Sequence, residues 1–278
     1  MGTAKVTYIY GDPGLYRRIF RRGDLVFDVG AGAGKMSEWY LHRGARVVAA
    51  EPEQEDYDNL RAHLGHDSRA TLLRIALGES PGTLKLSIYP GASTISTFVP
   101  HIHWSLDGAF KGTRPMRYEE VEVTTLDALI ARYGWPQFVK ADVEGYEAWV
   151  LRGLSQPVPF VQFEFSGWGY KAGQARECVE RILEIAPRAR FNYTVDESPA
   201  FEMWKPDQEH LPRPEQWSWY TADEVLAELG RQIAANGWYW GNVFADMRKD
   251  CGRKLARRRR FRKRRDRASK RILRGARL

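Results

Sequence analysis

Asp28-Val-Gly-Ala-Gly-Ala-Gly34 is the stretch that decides how the rest of the chain is read. It follows the apolar run Leu25-Val-Phe27, and a second apolar run, Arg46-Val-Val-Ala-Ala50, ends at Glu51. Strand, glycine loop, helix, strand and carboxylate, in that order, hold a nucleoside beyond the carboxyl ends of a parallel sheet. Glycines let the main chain come close to a ligand where a Cβ would collide. A carboxylate after the second strand can accept hydrogen bonds from both ribose hydroxyls. The spacing excludes two nucleotide classes. A dinucleotide loop beginning at Gly30 needs glycine where Lys35 stands. A P-loop ending at Gly34 needs glycine at Val29 and Ser or Thr at Met36. A ligand-free glycine turn explains the loop but leaves the sheet order and Glu51 unexplained.

Outward from the loop, periodicity predicts alternating strands and helices. Strands are expected at 25–29, 46–50, 70–75, 82–89, 120–124, 137–141, 159–165 and 190–195, with Tyr239 to Met247 closing the sheet as an edge strand. Helices are expected at 12–21, after Gly34, and at 54–64, 126–133, 146–154, 176–185 and 222–235. The pattern implies a doubly wound, mostly parallel, Rossmann-like α/β sheet of seven strands with an antiparallel edge strand and an extra β insertion. Between the two inserted strands, Pro90 to Arg117 shows little periodicity and holds Ser93, Thr94, His101, His103 and Trp104. A segment that long is often functional.

The chain has 278 residues, 43% of them hydrophobic and 13% aromatic, enough for one large α/β domain. Its net charge of +8 conceals two different objects. Residues 252–278 hold 15 of the 43 basic residues and one of the 35 acidic ones, leaving 28 basic against 34 acidic in the body. We therefore expect a folded domain over 1–250 and a basic tail over 251–278, solvated because self-repulsion opposes packing. Such a tail binds polyanions with strong salt dependence: nucleic acid, anionic lipid or polysaccharide. Two distant cysteines, Cys178 and Cys251, form no metal-like pair and fit a reducing compartment. The start lacks an apolar signal region, and no run is long enough to cross a bilayer, so the expected location is cytoplasmic.

The second dense segment is Lys140-Ala-Asp142-Val-Glu144-Gly145-Tyr-Glu147. Taken together, D-V-G-A at 28–31, A-E-P at 50–52, A-L-G at 76–78, T-L-D at 125–127 and K-x-D-x-E-G-x-E at 140–147 resemble the FkbM family of S-adenosylmethionine-dependent methyltransferases over roughly residues 10–165. Gly32 departs from the asparagine often found there. The resemblance implies methyl transfer from S-adenosylmethionine, usually to a hydroxyl of a carbohydrate, glycan or natural-product small molecule. It also implies cofactor contacts at Asp28, Gly30, Ala31, Gly32 and Gly34 along the methionine–ribose side. Glu51 would take the ribose hydroxyls, and Pro52, Ala76 and Leu77 would lie near the adenine. Asp142 would stand beside the methionine part.

Methylating an alcohol requires an in-line acceptor oxygen and a group that takes its proton. Asp142, Glu144 and Glu164 are the acidic candidates near the strand ends, with Lys140 offsetting their repulsion. Clustered carboxylates raise one another's proton affinity. The expected catalytic set is Asp142, Glu144 and Lys140. Glu147 reads as a solvated residue or a partner of the helix dipole. The three carboxylates could offer oxygen ligands to Mg²⁺, but no His/Cys spacing supports a metal, and none is expected. His101 and His103 read as loop residues. Trp204, Trp217-Ser-Trp219-Tyr220 and Trp238-Tyr-Trp240 read as core packing, with stacking on a sugar ring as the other use of such faces. Two readings compete with O-methylation: a nucleic-acid methyltransferase recruited by the tail, and a cofactor-binding module without chemistry.

Overall fold

A computed structural model describes residues 19–89, 96–99, 114–166, 171–195, 219–236 and 240–252. Seven strands make the main sheet: β1 (Leu25–Val29), β2 (Arg46–Ala50), β3 (Ala70–Leu73), β7 (Phe138–Ala141), β8 (Phe160–Ser166), β9 (Arg190–Val195) and β10 (Trp240–Asp246). Their spatial order is β3-β2-β1-β7-β8-β10-β9. Pairing is parallel from β3 through β8, and β10 runs antiparallel to both β8 and β9. The antiparallel strand thus stands one place in from the edge that the sequence had suggested for it, with β9 outermost. Strand order reverses between β1 and β7, and loops diverging at such a switch point leave a crevice beyond the carboxyl ends.

The helices are α1 (Lys35–His42), α2 (Gln54–Leu64), α3 (Leu126–Tyr133), α4 (Glu147–Arg152), α5 (Lys171–Ile185) and α6 (Ala222–Asn236). Each covers a sheet face for a reason visible in the strand sequences. All five β1 residues are buried, as expected of a strand sandwiched between helices. Leu25, Phe27 and Val29 face one way and pack with Val139, Val161 and Phe163 against Leu129, Val150, Ile182 and Leu229 of α3 to α6. Val26 faces the other way, with Val47, Phe138 and Phe160, against Tyr40 and Leu41 of α1, Leu60 and Leu64 of α2, and Ile19 and Phe20. Burying a side chain of this size is worth about 1.5–3 kcal/mol. Trp219 packs on the second of these clusters and Tyr220 on the first, so both serve the core.

A three-stranded sheet in the order β4-β6-β5 is built from β4 (Ala76–Leu77), β5 (Gly82–Ile88) and β6 (Arg117–Thr124). The third main-sheet strand therefore stops at Leu73, and Ala76 and Leu77 belong to the insertion, pairing with Val123 and Thr124. This shortens the strand expected at 70–75: the chain leaves the main sheet at Arg74, and β6 supplies the backbone partners of Ala76. Ser93, Thr94, His101, His103, Trp104, Trp204, Trp217, Trp238, the start of the expected first helix at 12–18 and the tail from Arg253 lie outside the described residues.

The two motif loops meet backbone to backbone. Gly30 has φ +78°, and a Cβ there would stand 1.8 Å from the Asp142 carbonyl oxygen. Gly34 has φ +91°, and its Cβ would stand 2.6 Å from Leu60 Cδ1. Gly32, at φ +51°, has no atom within 4 Å in that direction among the described residues beyond its chain neighbours. We expect Gly30→Ala to destabilise the fold by at least ~3 kcal/mol, through strain and collision together. Gly32→Ala should cost only about 1–2 kcal/mol, the left-handed penalty alone. Chemical denaturation of the two variants measures the difference.

Candidate functional site

The loop after β1 is shaped by its own hydrogen bonds and those of β2. Gly30 N and Ala31 N both donate to Ala50 O, at 3.0 and 3.2 Å, and Gly34 N donates to Ala31 O at 2.9 Å. Asp28 is fully buried beside this loop. Its Oδ2 accepts from Ser37 Oγ, in the first turn of α1, at 2.6 Å. Its Oδ1 is buried and has no hydrogen-bond partner among the described residues. Burial pushes the Asp28 carboxyl above its ordinary range, and nearby Asp142 adds to the rise; the Lys140 ammonium and the Ser37 hydroxyl oppose it.

Glu51 follows β2 and is also buried. Its Oε2 accepts from Gly32 N at 2.8 Å and its Oε1 from Glu53 N at 2.9 Å. A carboxylate has about four lone-pair positions, so two remain for a ligand. Burial is the main cause that pushes the Glu51 pKa up to about 7 from 4.5, against both backbone donors. An acid raised in this way favours the folded state below about pH 4.5, and that contribution is lost as pH climbs through about 7.

The second motif sits across the switch point. Asp28 and Lys140 are register partners on β1 and β7, so their side chains leave the same face of the sheet. Lys140, only 7% exposed, places Nζ 2.8 Å from Asp142 Oδ2. The residues after β7 form a tight loop whose backbone is tied on every side. Asp142 N donates to Val29 O at 3.0 Å. Val143 N and Gly145 N donate to Glu147 Oε1 at 3.0 and 3.1 Å. Thr97 Oγ1 donates to Glu144 O at 2.7 Å, and Gln174 Nε2 donates to Gly145 O. Glu144 and Gly145 both have positive φ, 55° and 95°. Such a conformation costs a non-glycine residue about 1–2 kcal/mol and persists where its surroundings over-determine it.

Of the two roles the sequence leaves to Glu147, a solvated residue or a partner of the helix dipole, its burial removes the first. It is 2% exposed and folds the loop back on itself, because two amides ahead of α4 lack helical partners and its carboxylate supplies them. With the loop held, Asp142, Glu144 and Glu164 each bring one carboxylate oxygen within 4.8 Å of the others, all half-buried. This oxygen cluster could also ligate a hard cation such as Mg²⁺.

The sequence-chosen residues fall into three groups. Asp28, Gly30, Ala31, Gly32, Gly34, Glu51 and Pro52 line one side of the switch point, and Lys140, Asp142 and Glu144 the other. Ala76 and Leu77, both buried, stand apart in β4. Ser37, Glu147, Gln174 and Thr97 were not chosen. Glu147 lay within the motif, and only its role was misread. Gln174 and Thr97 act 29 and 47 residues from their partners, beyond any local spacing signal.

No helix among the described residues is long and apolar enough to cross a membrane. Among curated proteins the chain has no match. Solved structures resemble it in outline. A TehB-like methyltransferase of Corynebacterium glutamicum is 12% identical, with TM-score 0.39, covering 86% of this chain and 88% of that one. The C-terminal domain of precorrin-6Y C5,15-methyltransferase of Rhodobacter capsulatus is 12% identical, with TM-score 0.38, covering 85% and 92%. An S-adenosylmethionine-dependent methyltransferase of Geobacter sulfurreducens, solved with S-adenosyl-L-homocysteine, is 14% identical, with TM-score 0.33, covering 86% and 93%. Residues 28–196 match the methyltransferase FkbM domain, a span that runs from Asp28 through both motif loops to the end of β9. The chain belongs to the FkbM family of S-adenosylmethionine-dependent methyltransferases.

Proposed function

We propose that this methyltransferase acts on a hydroxyl of a small acceptor, a carbohydrate, glycan or natural product, with the carboxylates after β7 and β8 taking the proton. The observation that carries the reading is the cluster of Asp142, Glu144 and Glu164 oxygens within 4.8 Å of one another, beside the glycine loop. A positioned base of this kind is worth about 10²–10⁴-fold.

The cofactor's fit rests on three features of this chain. A Cβ on Gly32 would meet no atom within 4 Å among the described residues beyond its chain neighbours, which leaves open space on that side of the loop. Asp28 Oδ1 is a buried acceptor without a donor among the described residues. Glu51 retains lone pairs for two ribose hydroxyls. In this reading Asp28, Gly30, Ala31, Gly32 and Gly34 hold the methionine and ribose. Glu51 orients the sugar, Pro52 borders the adenine, and Asp142 stands near the methionine part. Ala76 and Leu77, both buried in β4, support the adenine side through the insertion. Bound S-adenosylmethionine supplies a methyl group already activated on a sulfonium. Lys140 fixes the Asp142 carboxylate by their 2.8 Å ion pair, leaving Glu144 and Glu164 to receive the acceptor's proton as its oxygen attacks. Glu144→Gln should lower kcat about 10²-fold or more, while changing cofactor affinity less than about threefold. Asp142→Ala should lower both. Labelled S-adenosylmethionine offered to fractionated glycans, lipids and RNA measures the first, calorimetry the second. Full activity in both variants would overturn the assignment.

In this reading the body carries the chemistry, with Cys251 still packed on it, and the basic residues 252–278 serve to bind polyanions. The buried free thiols Cys178 and Cys251 agree with a reducing, cytoplasmic setting. The tail's charge favours a second reading, methylation of a nucleic acid that it recruits. Deleting residues 252–278 separates the two. We expect methylation of a small hydroxylated acceptor to survive, while polyanion binding and its salt dependence are lost. Loss of all methylation except on full-length protein with RNA or DNA would select the second reading.

Glu51 makes cofactor binding pH-dependent. Ribose donors favour the ionised carboxylate, so binding releases a proton from a group that titrates near 7 in the free protein. Affinity should rise as pH climbs towards about 7 and level off above it. Glu51→Gln should bind more weakly and flatten the profile, as read by calorimetry from pH 5 to 8.

A further inference from the structure

The β insertion sends one short segment, residues 96–99, into the space between the two motif loops. Thr97 is anchored to β5 by a reciprocal backbone pair, Ser87 N to Thr97 O at 2.9 Å and Thr97 N to Ser87 O at 3.1 Å. Phe98 lies 5.3 Å from the Tyr146 ring, centroid to centroid, and packs on the small sheet's core. From this base two neighbouring side chains reach opposite ways. Ser96 Oγ donates to Glu53 Oε2 at 2.7 Å, two residues beyond Glu51. Thr97 Oγ1 donates to Glu144 O at 2.7 Å, two residues beyond Asp142.

The Thr97 hydroxyl has no freedom in this arrangement. Thr97 is 0% exposed, and its oxygen also accepts from Val99 N at 3.1 Å. An amide only donates and a carbonyl only accepts, so the hydroxyl proton must point at Glu144. Glu144 is the only described non-glycine residue with positive φ. Its left-handed backbone aims the side chain toward Asp142 and Glu164, and relaxation to negative φ would swing that side chain elsewhere. The peptide that follows Glu144 is held at both ends, its oxygen by the Thr97 hydroxyl and its nitrogen by Glu147 Oε1, and of these two anchors only Thr97 comes from the insertion.

We propose that Thr97 is a positioning residue for methyl transfer: its hydroxyl locks Glu144 in the left-handed conformation that completes the carboxylate cluster. The insertion then serves the main site, with Ser96 tying the same segment to the loop that carries Glu51. The kinetic part of the proposal rests on the reading of Glu144 as a proton acceptor; the conformational part does not.

The test uses the full chain with Thr97→Val, which keeps shape and removes the hydroxyl, and Thr97→Ser, which keeps the hydroxyl. In the cofactor-free protein, Thr97→Val should speed amide hydrogen exchange across residues 142–146 at least about tenfold and leave β1 and β7 unchanged, while Thr97→Ser should not. Unchanged exchange in Thr97→Val overturns the proposal whatever the acceptor proves to be. In turnover, Thr97→Val should lower kcat about 10–100-fold, part of the base's contribution. KM for the cofactor should move less than about threefold, and Thr97→Ser should restore the rate to within about threefold. In a Glu144→Gln background Thr97→Val should have no further effect, because both act through one group. Additive losses in that cycle would show that Thr97 acts by general destabilisation and overturn its positioning role. A fully active Glu144→Gln protein whose exchange still responds to Thr97→Val would instead overturn the reading of Glu144 and leave the lock standing.

Discussion

Everything at the switch point depends on the approach of Gly30 to the Asp142 carbonyl, which leaves no room for a Cβ. Asp142 N in turn donates to Val29 O, so the first and second motif loops are seated on each other by main-chain atoms alone. Side chains could adapt to small shifts in such a contact, whereas two backbones cannot. The cost is paid in unusual conformations at Gly30, Gly34, Glu144 and Gly145. What the arrangement secures is a fixed distance between the loop shaped to hold a nucleoside and the loop that presents carboxylates. A methyl donor and acceptor must meet within a fraction of an ångström, and rigid placement of this kind supplies much of an enzyme's rate.

The second consequence is electrostatic. Asp28 and Glu51 are buried acids, the first completely, and both sit above their ordinary pKa. Their burial is tolerable because Ser37 and two backbone amides supply hydrogen bonds, and because the Lys140 ammonium lies close to Asp28. Glu53 continues the pattern, raised by burial and relieved by Ser96 and Arg117. Asp28, Glu51 and Glu53 thus share one environment, in which burial favours the protonated carboxyl and hydrogen bonds oppose it.

Much of this was legible in advance. The bounds of β1, β2, α2, α3 and β9 follow from apolar periodicity and glycine punctuation, because each element's burial is set by its own neighbours on one or two faces. Asp28, Glu51 and Asp142 stand where the strand readings put them, at or just beyond the carboxyl ends of β1, β2 and β7. Glu147 was misread because its spacing fits both an exposed first turn and a brace for the preceding loop; only the position of Val143 N and Gly145 N separates them. Ala76 and Leu77 were misplaced because two residues of β4 look like the tail of β3 until β6 supplies the competing partner.

Local sequence by itself determined the parallel sheet, the nucleoside loop, the family resemblance and the division into an acidic body and a basic tail. These rest on spacing, apolar period and charge, all properties of adjacent residues. Only the tertiary structure decided that β10 enters inside β9, how closely Glu164 approaches Asp142 and Glu144, and that Thr97 and Gln174 join Glu147 in holding the loop. Those relations join residues 20 to 86 positions apart. They arise from the closing of a sheet around its two cores, which no short stretch of chain contains.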